Sequence, residues 1–289
     1  MRVAVIGAAG QLGSDLVRVL ESRGTVIPLS REDLDVIDSR AARRVLEGAR
    51  ADAVINTAAL VQVDRCEDEP ENSFRVNALG ARNVALACRG SGSLMVQVST
   101  DYVFDGRKGR PYIESDPPCP LNTYGITKLA GEYFVRALCP SHLIVRTSGL
   151  YGAAGSRGKE GNFVETMIRL GARGQPIRVV DDQVVAPTYA RDLAEAIAAL
   201  LEGPALGIRH LANRGECSWY EFAREIFRLL GTNPDLRPIT SRELAARAAR
   251  PPYSVLRSAS AAARLRPWRQ ALKAYLNEKG HPSAPATTP

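Results

Sequence analysis

The chain has 289 residues, 45% hydrophobic and 24% charged, and its 38 Lys+Arg against 31 Asp+Glu leave a net charge of +7. These are globular proportions, which exclude long disorder, a collagen-like repeat or a coiled-coil rod over most of the length. The excess arginine is scattered rather than gathered in a stripe, and no apolar run approaches the roughly 18 residues of a membrane span, so the expected setting is the cytoplasm, without nucleic-acid or membrane partners.

Taken in chain order, residues 2–7 read as a short apolar strand, and Leu12, Leu16, Val19 and Leu20 then recur at helical spacing. Residues 25–29 form a second apolar run, containing Pro28, and 41–46 a short helix. Strands are expected over 53–57, 94–99 and 143–147, with helices over 73–88 and 124–138. Strands alternating with helices imply an α/β fold, a doubly wound parallel sheet of Rossmann type. Residues 1–150 are expected to be its NAD(P)-binding core. Residues 151–280 read as a smaller, mixed substrate-binding region interleaved with that core. It opens on a glycine-rich loop at 152–161. A helix follows around Phe163 and Met167, then a strand over 177–180 and a helix over 192–201. Ser218 and Glu221 spell a capping box that opens a helix over 219–230. Residues 281–289 are rich in Pro, Ala and Thr and are expected to be disordered.

The five cysteines (66, 88, 119, 139 and 217) form no CxxC pair, and the three histidines form no HExxH. Reduced cysteines and no metal site are therefore expected.

Gly7, Gly10 and Gly13 stand between the first strand and the first helix, where glycines let backbone approach a pyrophosphate and a helix N-terminus offers free amides. At the end of the second strand, where NAD-binding proteins usually carry an acid, stand Ser30 and Arg31. A hydroxyl beside a guanidinium suits a 2′-phosphate, which points to NADPH and leaves NADH open. Tyr124 and Lys128 are four residues apart and share a helix face. An ammonium beside the phenol, with a cofactor ribose, is expected to lower its pKa for proton transfer to a carbonyl oxygen as hydride arrives. Upstream, Ser99 or Thr100 at a strand end offers a hydroxyl to polarise that oxygen.

With these blocks in view, the chain resembles an extended short-chain dehydrogenase/reductase, and within that group the dTDP-4-dehydrorhamnose reductases. The resemblance rests on GAAGQLG at 7–13, NTAALVQVDRCEDEP at 56–70, VNALGARNVA at 76–85, VSTDYVFDG at 98–106, YGITKLAGE at 124–132, VRTSGLYG at 145–152 and DDQVVAPTYARDLA at 181–194. It implies NAD(P)H-dependent reduction of C4 of dTDP-4-dehydro-6-deoxy-L-mannose to dTDP-L-rhamnose. It also implies a dTDP-sugar as the partner molecule, with a homodimer among the admissible assemblies. Thr100, Tyr124 and Lys128 match the catalytic trio. Gly10, Gln11 and Leu12 match cofactor contacts, Asp35 and Val36 a pair beside the adenine, and Ala58, Ala59 and Leu60 backbone contacts. Tyr102, Asn162, Phe163 and Arg250 fall where the family holds the nucleotide sugar.

Three positions depart from that pattern or fall short of it. Gly149 stands where many members carry Trp, which removes a sugar contact and leaves room. Arg257 replaces a frequent Asp. Asp15 aligns with an acidic residue that holds magnesium at a dimer interface in some members, without a complete set. The alternatives are another nucleotide-sugar reductase or epimerase, a dehydratase, which the missing Asp-Glu pair after Thr100 disfavours, and an NADP-binding regulatory subunit of an enzyme such as methionine adenosyltransferase.

Overall fold

Six parallel strands run through the centre of the molecule. The computed structural model describes residues 1–154, 161–203, 206–259 and 264–281. The glycine-rich loop therefore lies partly outside the described residues, and so does the tail beyond His281.

The first half runs β1 (Arg2–Ile6), α1 (Gln11–Glu21), β2 (Thr25–Leu29), α2 (Ser39–Ala49), β3 (Ala53–Asn56), α3 (Val63–Asp68) and α4 (Pro70–Phe74). A π-helical turn, Arg75–Leu79, joins α4 to α5 (Gly80–Ser91). Then come β4 (Leu94–Thr100), α6 (Thr123–Leu138) and β5 (His142–Thr147). The second half runs β6 (Leu150–Tyr151), α7 (Phe163–Gly171), β7 (Ile177–Val180), β8 (Val184–Val185), β9 (Thr188–Tyr189), α8 (Ala190–Leu200) and β10 (Gly207–His210). It ends with β11 (Cys217–Ser218), α9 (Trp219–Leu230), β12 (Leu236–Ile239), α10 (Ser241–Leu244) and α11 (Trp268–Glu278).

The main sheet has the order β10-β5-β4-β3-β1-β2. Val3 to Ile6 of β1 are all buried, as a parallel strand covered on both faces requires. Pro28 is tolerated because β2 is an edge strand. The order reverses between β1 and β3, the place where open α/β sheets form a ligand crevice at the carboxyl ends of their strands.

Leu12, Leu16 and Leu20 fall on one face of α1 and pack with Leu193, Ala194 and Ile197 of α8 in one core layer. The opposite layer joins α2 and α5 to the sheet through Leu46, Val84 and Cys88. A third cluster, built from α7, α9 and α11 around Phe222 and Trp268, belongs to the second half. Yet β10 pairs with β5, and α8 covers α1, so the second half supplies both a strand and a helix to the central sandwich. The expected capping box is present: Glu221 N donates to Ser218 Oγ at 3.0 Å, and Ser218 N donates to Glu221 Oε2 at 3.0 Å. The single helix expected over 73–88 is instead interrupted by the π turn, whose Asn77 side chain is buried and holds Leu60.

Candidate active site

The glycine turn occupies one wall of the crevice. Gly7 has φ +77°, and a Cβ there would come within 2.6 Å of Thr57 Oγ1. A Cβ on Gly13 would lie 2.1 Å from the Gly7 carbonyl oxygen, so only glycine lets α1 start this close to the turn. The Gly7 and Ala8 amides both donate to the Leu29 carbonyl, at 2.8 and 3.1 Å, which fixes the turn beside the end of β2. Gly10 caps α1 without a side-chain partner, and the first turn carries no acid. The helical ladder begins with Ser14 N donating to Gly10 O at 3.0 Å. The amides of Gln11, Leu12 and Gly13 thus precede the ladder at the positive end of the dipole. A pyrophosphate fits this cradle. Leu12 is buried in the core, so its backbone is the part that can serve a ligand. Gln11 Nε2 donates to Leu150 O at 2.9 Å and so ties the turn to the second half.

Arg31 is exposed at the end of β2 and lies 4.0 Å from Asp35. Ser30 forms a turn in which its N–H donates to Asp33 Oδ2 at 2.8 Å. Asp35 Oδ1 accepts from Ile37 N at 3.1 Å, and the buried Val36 has its carbonyl held by Asn83 Nδ2 at 3.0 Å. On the β3 side, Asn77 grips Leu60 twice. Its Oδ1 accepts from Leu60 N at 2.8 Å, and its Nδ2 donates to Leu60 O at 3.1 Å. The same Nδ2 donates to Thr127 Oγ1 at 3.1 Å, which fixes the 58–60 run against α6.

Ser99 and Thr100 point to opposite faces of β4, as the period of two demands. Ser99 Oγ donates to Glu132 Oε1 at 2.5 Å inside the protein, so its hydroxyl is committed. Thr100 lies on the other face with its hydroxyl beside the Tyr124 phenol, and its Oγ1 donates to Asp101 Oδ1 at 3.1 Å. Lys128, one turn further along α6, is buried and donates from Nζ to Val98 O at 2.7 Å. Burial pushes its ammonium down to about 8, with Glu132 pulling it up. The phenol departs from expectation. Its surroundings push Tyr124 above the ordinary tyrosine range, because desolvation outweighs the Thr100 hydrogen bond and the Asp101 carboxylate adds to it. Tyr124 is therefore held protonated, the form a proton donor needs.

Asn122 sets the start of α6 by accepting from Gly125 N at 2.8 Å, and its Nδ2 donates to Ala249 O at 2.7 Å. The Tyr102 and Tyr124 rings meet edge to face at 5.8 Å. Arg250 lies beside the Tyr102 phenol and forks onto Asp64, with Nη2 2.8 Å from Oδ2 and Nη1 3.3 Å from Oδ1. Arg250 thus joins Thr100, Tyr102 and Tyr124 at one site.

Two other residues expected at the sugar make different contacts. Asn162 caps α7 through Glu165 N at 3.1 Å, and its Nδ2 donates to Gly152 O and to Tyr275 Oη, each at 3.0 Å. Phe163 packs on Trp219 and Phe222 at 4.7 and 5.6 Å between ring centres. Gly149 has φ +52°, and a Cβ there would come within 3.1 Å of Pro187 Cα. The position is not simply open space. Among the described residues no group of three or more His, Cys, Asp and Glu could hold a metal ion, and Asp15 pairs with Arg18, which also reaches Glu278 at 2.6 Å. No helix among them is long and apolar enough to cross a membrane.

Sequence reasoning passed over Asn77, Asp64, Asp101 and Glu132. All four lie inside quoted motifs, but they meet partners distant in the chain, so spacing alone carries no signal for them.

A parallel sheet with a glycine cradle at its switch point and a Thr, Tyr and Lys group beside it is the architecture of the extended short-chain dehydrogenase/reductases. Within that class, the chain belongs to the family described as RmlD substrate binding domain, which matches residues 1–280. It is 46% identical over 283 residues to a dTDP-4-dehydrorhamnose reductase of Streptomyces griseus, covering 94% of this chain and 91% of that one. It is 42% identical over 282 residues to the spore coat polysaccharide biosynthesis protein SpsK of Bacillus subtilis (strain 168), covering 96% and 98%. It is 38% identical to the dTDP-4-dehydrorhamnose reductase of Bacillus anthracis solved in complex with NADP. The TM-score is 0.91, and the match covers 96% of this chain and 99% of that one.

Proposed function

We propose that this chain reduces the C4 ketone of dTDP-4-dehydro-6-deoxy-L-mannose to give dTDP-L-rhamnose, with NADPH as reductant, in the cytoplasm. The observation that carries the reading is the grouping of Thr100, Tyr124 and Lys128 at the strand ends beside the Gly7–Gly13 cradle.

The bound nicotinamide cofactor supplies the hydride. The α1 amides and the 58–60 backbone would hold it, with Arg31 at the 2′-phosphate. Tyr124 donates the proton from its Oη to the substrate oxygen. Thr100 hydrogen-bonds that oxygen and aligns it. Lys128, anchored on Val98 O one turn along α6, would supply the positive charge that stabilises the phenolate left behind. Arg250 and Tyr102 face the nucleotide diphosphate side. The intact trio favours turnover over a regulatory subunit.

Oxidation of NADPH and NADH is followed in parallel with the enzymatically made 4-keto sugar. Multiple turnovers are expected, faster with NADPH. Tyr124→Phe is expected to lower kcat by roughly 10²- to 10⁴-fold with NADPH binding nearly unchanged. Cofactor binding without consumption by the wild type would reject the reading.

A further inference from the structure

Asp101 follows Thr100 directly and is almost completely buried. Its carboxylate meets three hydroxyls. Thr100 Oγ1 lies 3.1 Å from Oδ1, while Ser148 and Ser254 donate to Oδ2 at 3.0 and 2.5 Å. Each hydroxyl comes from a different part of the chain: the end of β4, the turn before Gly149, and the segment just after Arg250. Structural tethering of two loops does not require the third contact, which falls on a hydroxyl of the active site itself.

Proton counting around Thr100 is restrictive. Its oxygen has one hydrogen and two lone pairs. Tyr102 N donates to it at 3.1 Å, and the Tyr124 phenol stands beside it. When Asp101 is ionised it can only accept, so the Thr100 proton goes to the carboxylate. The Thr100 hydroxyl that should face a substrate oxygen is then turned away from it. When Asp101 is neutral its own proton goes to Thr100, and the Thr100 hydrogen is free to point toward the ketone.

We propose that Asp101 is a positioning residue that sets the direction of the Thr100 hydroxyl, its neutral form turning that hydroxyl toward the substrate oxygen for reduction. The inference rests on the reductase reading above. Burial pushes the carboxyl up to about 6 against the three hydroxyl hydrogen bonds, so both forms are accessible near neutrality. The ionisable groups around it are the Tyr102 and Tyr124 phenols, with Arg250 and Asp64 beyond Tyr102. Both phenols stay protonated across the range concerned.

The test is the pH dependence of kcat between pH 5.5 and 7.5 for wild type and Asp101→Asn, at saturating NADPH and keto sugar. An Asn amide donates to Thr100 while its oxygen accepts from Ser148 and Ser254, which fixes the arrangement of the neutral acid. Wild-type kcat is expected to fall by roughly threefold or more over this interval as Asp101 ionises. Asp101→Asn is expected to hold the low-pH rate throughout. The 2′-phosphate of NADPH titrates in the same range but is common to both proteins, so the difference between profiles belongs to Asp101. A variant with the wild-type limb overturns the proposal. So does a folded, NADPH-binding variant that is inactive at every pH, because the charged form would then be required. If Asp101→Asn does not fold, Ser254→Ala serves instead. Removing a donor to the carboxylate should move the limb to higher pH, and an unmoved limb overturns the proposal. Failure of the reductase reading is separate: it shows as an inactive wild type, or as full activity in Tyr124→Phe.

Discussion

Arg250 and Asp64 are 186 positions apart in the chain and form a two-pronged ion pair, with Nη2 and Oδ2 at 2.8 Å. Asp64 also accepts from Ala248 N at 2.9 Å, so one carboxylate fixes both the guanidinium and the backbone that carries it. The same guanidinium reaches the Tyr102 phenol. It is held in place before any substrate arrives.

Arg250→Ala is therefore expected to raise KM for the nucleotide sugar by roughly tenfold or more, the value of a charge-assisted hydrogen bond, with a smaller change in kcat. Steady-state kinetics at saturating NADPH would check this. An unchanged KM would place the diphosphate elsewhere.

Gly13→Ala puts a Cβ 2.1 Å from the Gly7 carbonyl oxygen, a backbone atom that moves only if the whole turn moves. The variant should lose about 1–3 kcal/mol of stability and bind NADPH more weakly. Thermal melting and fluorescence titration measure the two effects separately. Normal cofactor affinity would remove the turn from the binding site.

Lys128 gives a pH-dependent prediction. Its folded pKa of about 8 lies below the ordinary lysine value. Between about pH 8 and 10.5 the unfolded chain binds more protons than the folded one, so this group makes stability rise with pH over that window. Below pH 8 the buried charge destabilises the fold fully. Lys128→Met should therefore be inactive yet more stable at pH 7, by about 2 kcal/mol, with the advantage fading toward pH 10.5. Urea denaturation at pH 7 and 9.5 tests the sign. Equal differences at the two pH values would contradict it.

Glu132 and Arg146 form a fully buried pair, with Nη2 to Oε2 at 2.6 Å and Nε to Oε1 at 2.9 Å. Glu132→Gln leaves the guanidinium without its counter-charge and should cost about 3–5 kcal/mol. It also removes the charge that raises the Lys128 ammonium, so the surviving activity should lose its alkaline limb at lower pH. Unchanged melting and an unchanged limb would show the pair to be energetically silent.

Most of the sheet was legible because buried parallel strands are short and apolar, and 25–29 and 177–180 were read to the residue. The choice between Ser99 and Thr100 was not legible from the strand itself. It depends on which face of β4 meets Glu132, a contact made 33 residues away. Asn162 carried a local signal of its own, with Glu165 three positions on, the spacing of a helix cap, and the cap is where its oxygen goes. The π turn at 75–79 left no mark in the apolar periodicity, so Asn77 and its grip on Leu60 stayed hidden.

The placement of β10 and α8 bears on how this enzyme could change its sugar. The later half of the chain returns to lay an edge strand on β5 and a helix on α1 before it builds the Phe222 and Trp268 cluster. The two halves are stitched rather than strung, and neither can be cut out and replaced as a cassette. On the reading proposed above, new specificity would come from point changes around Gly149 and Arg250 rather than from exchange of a half.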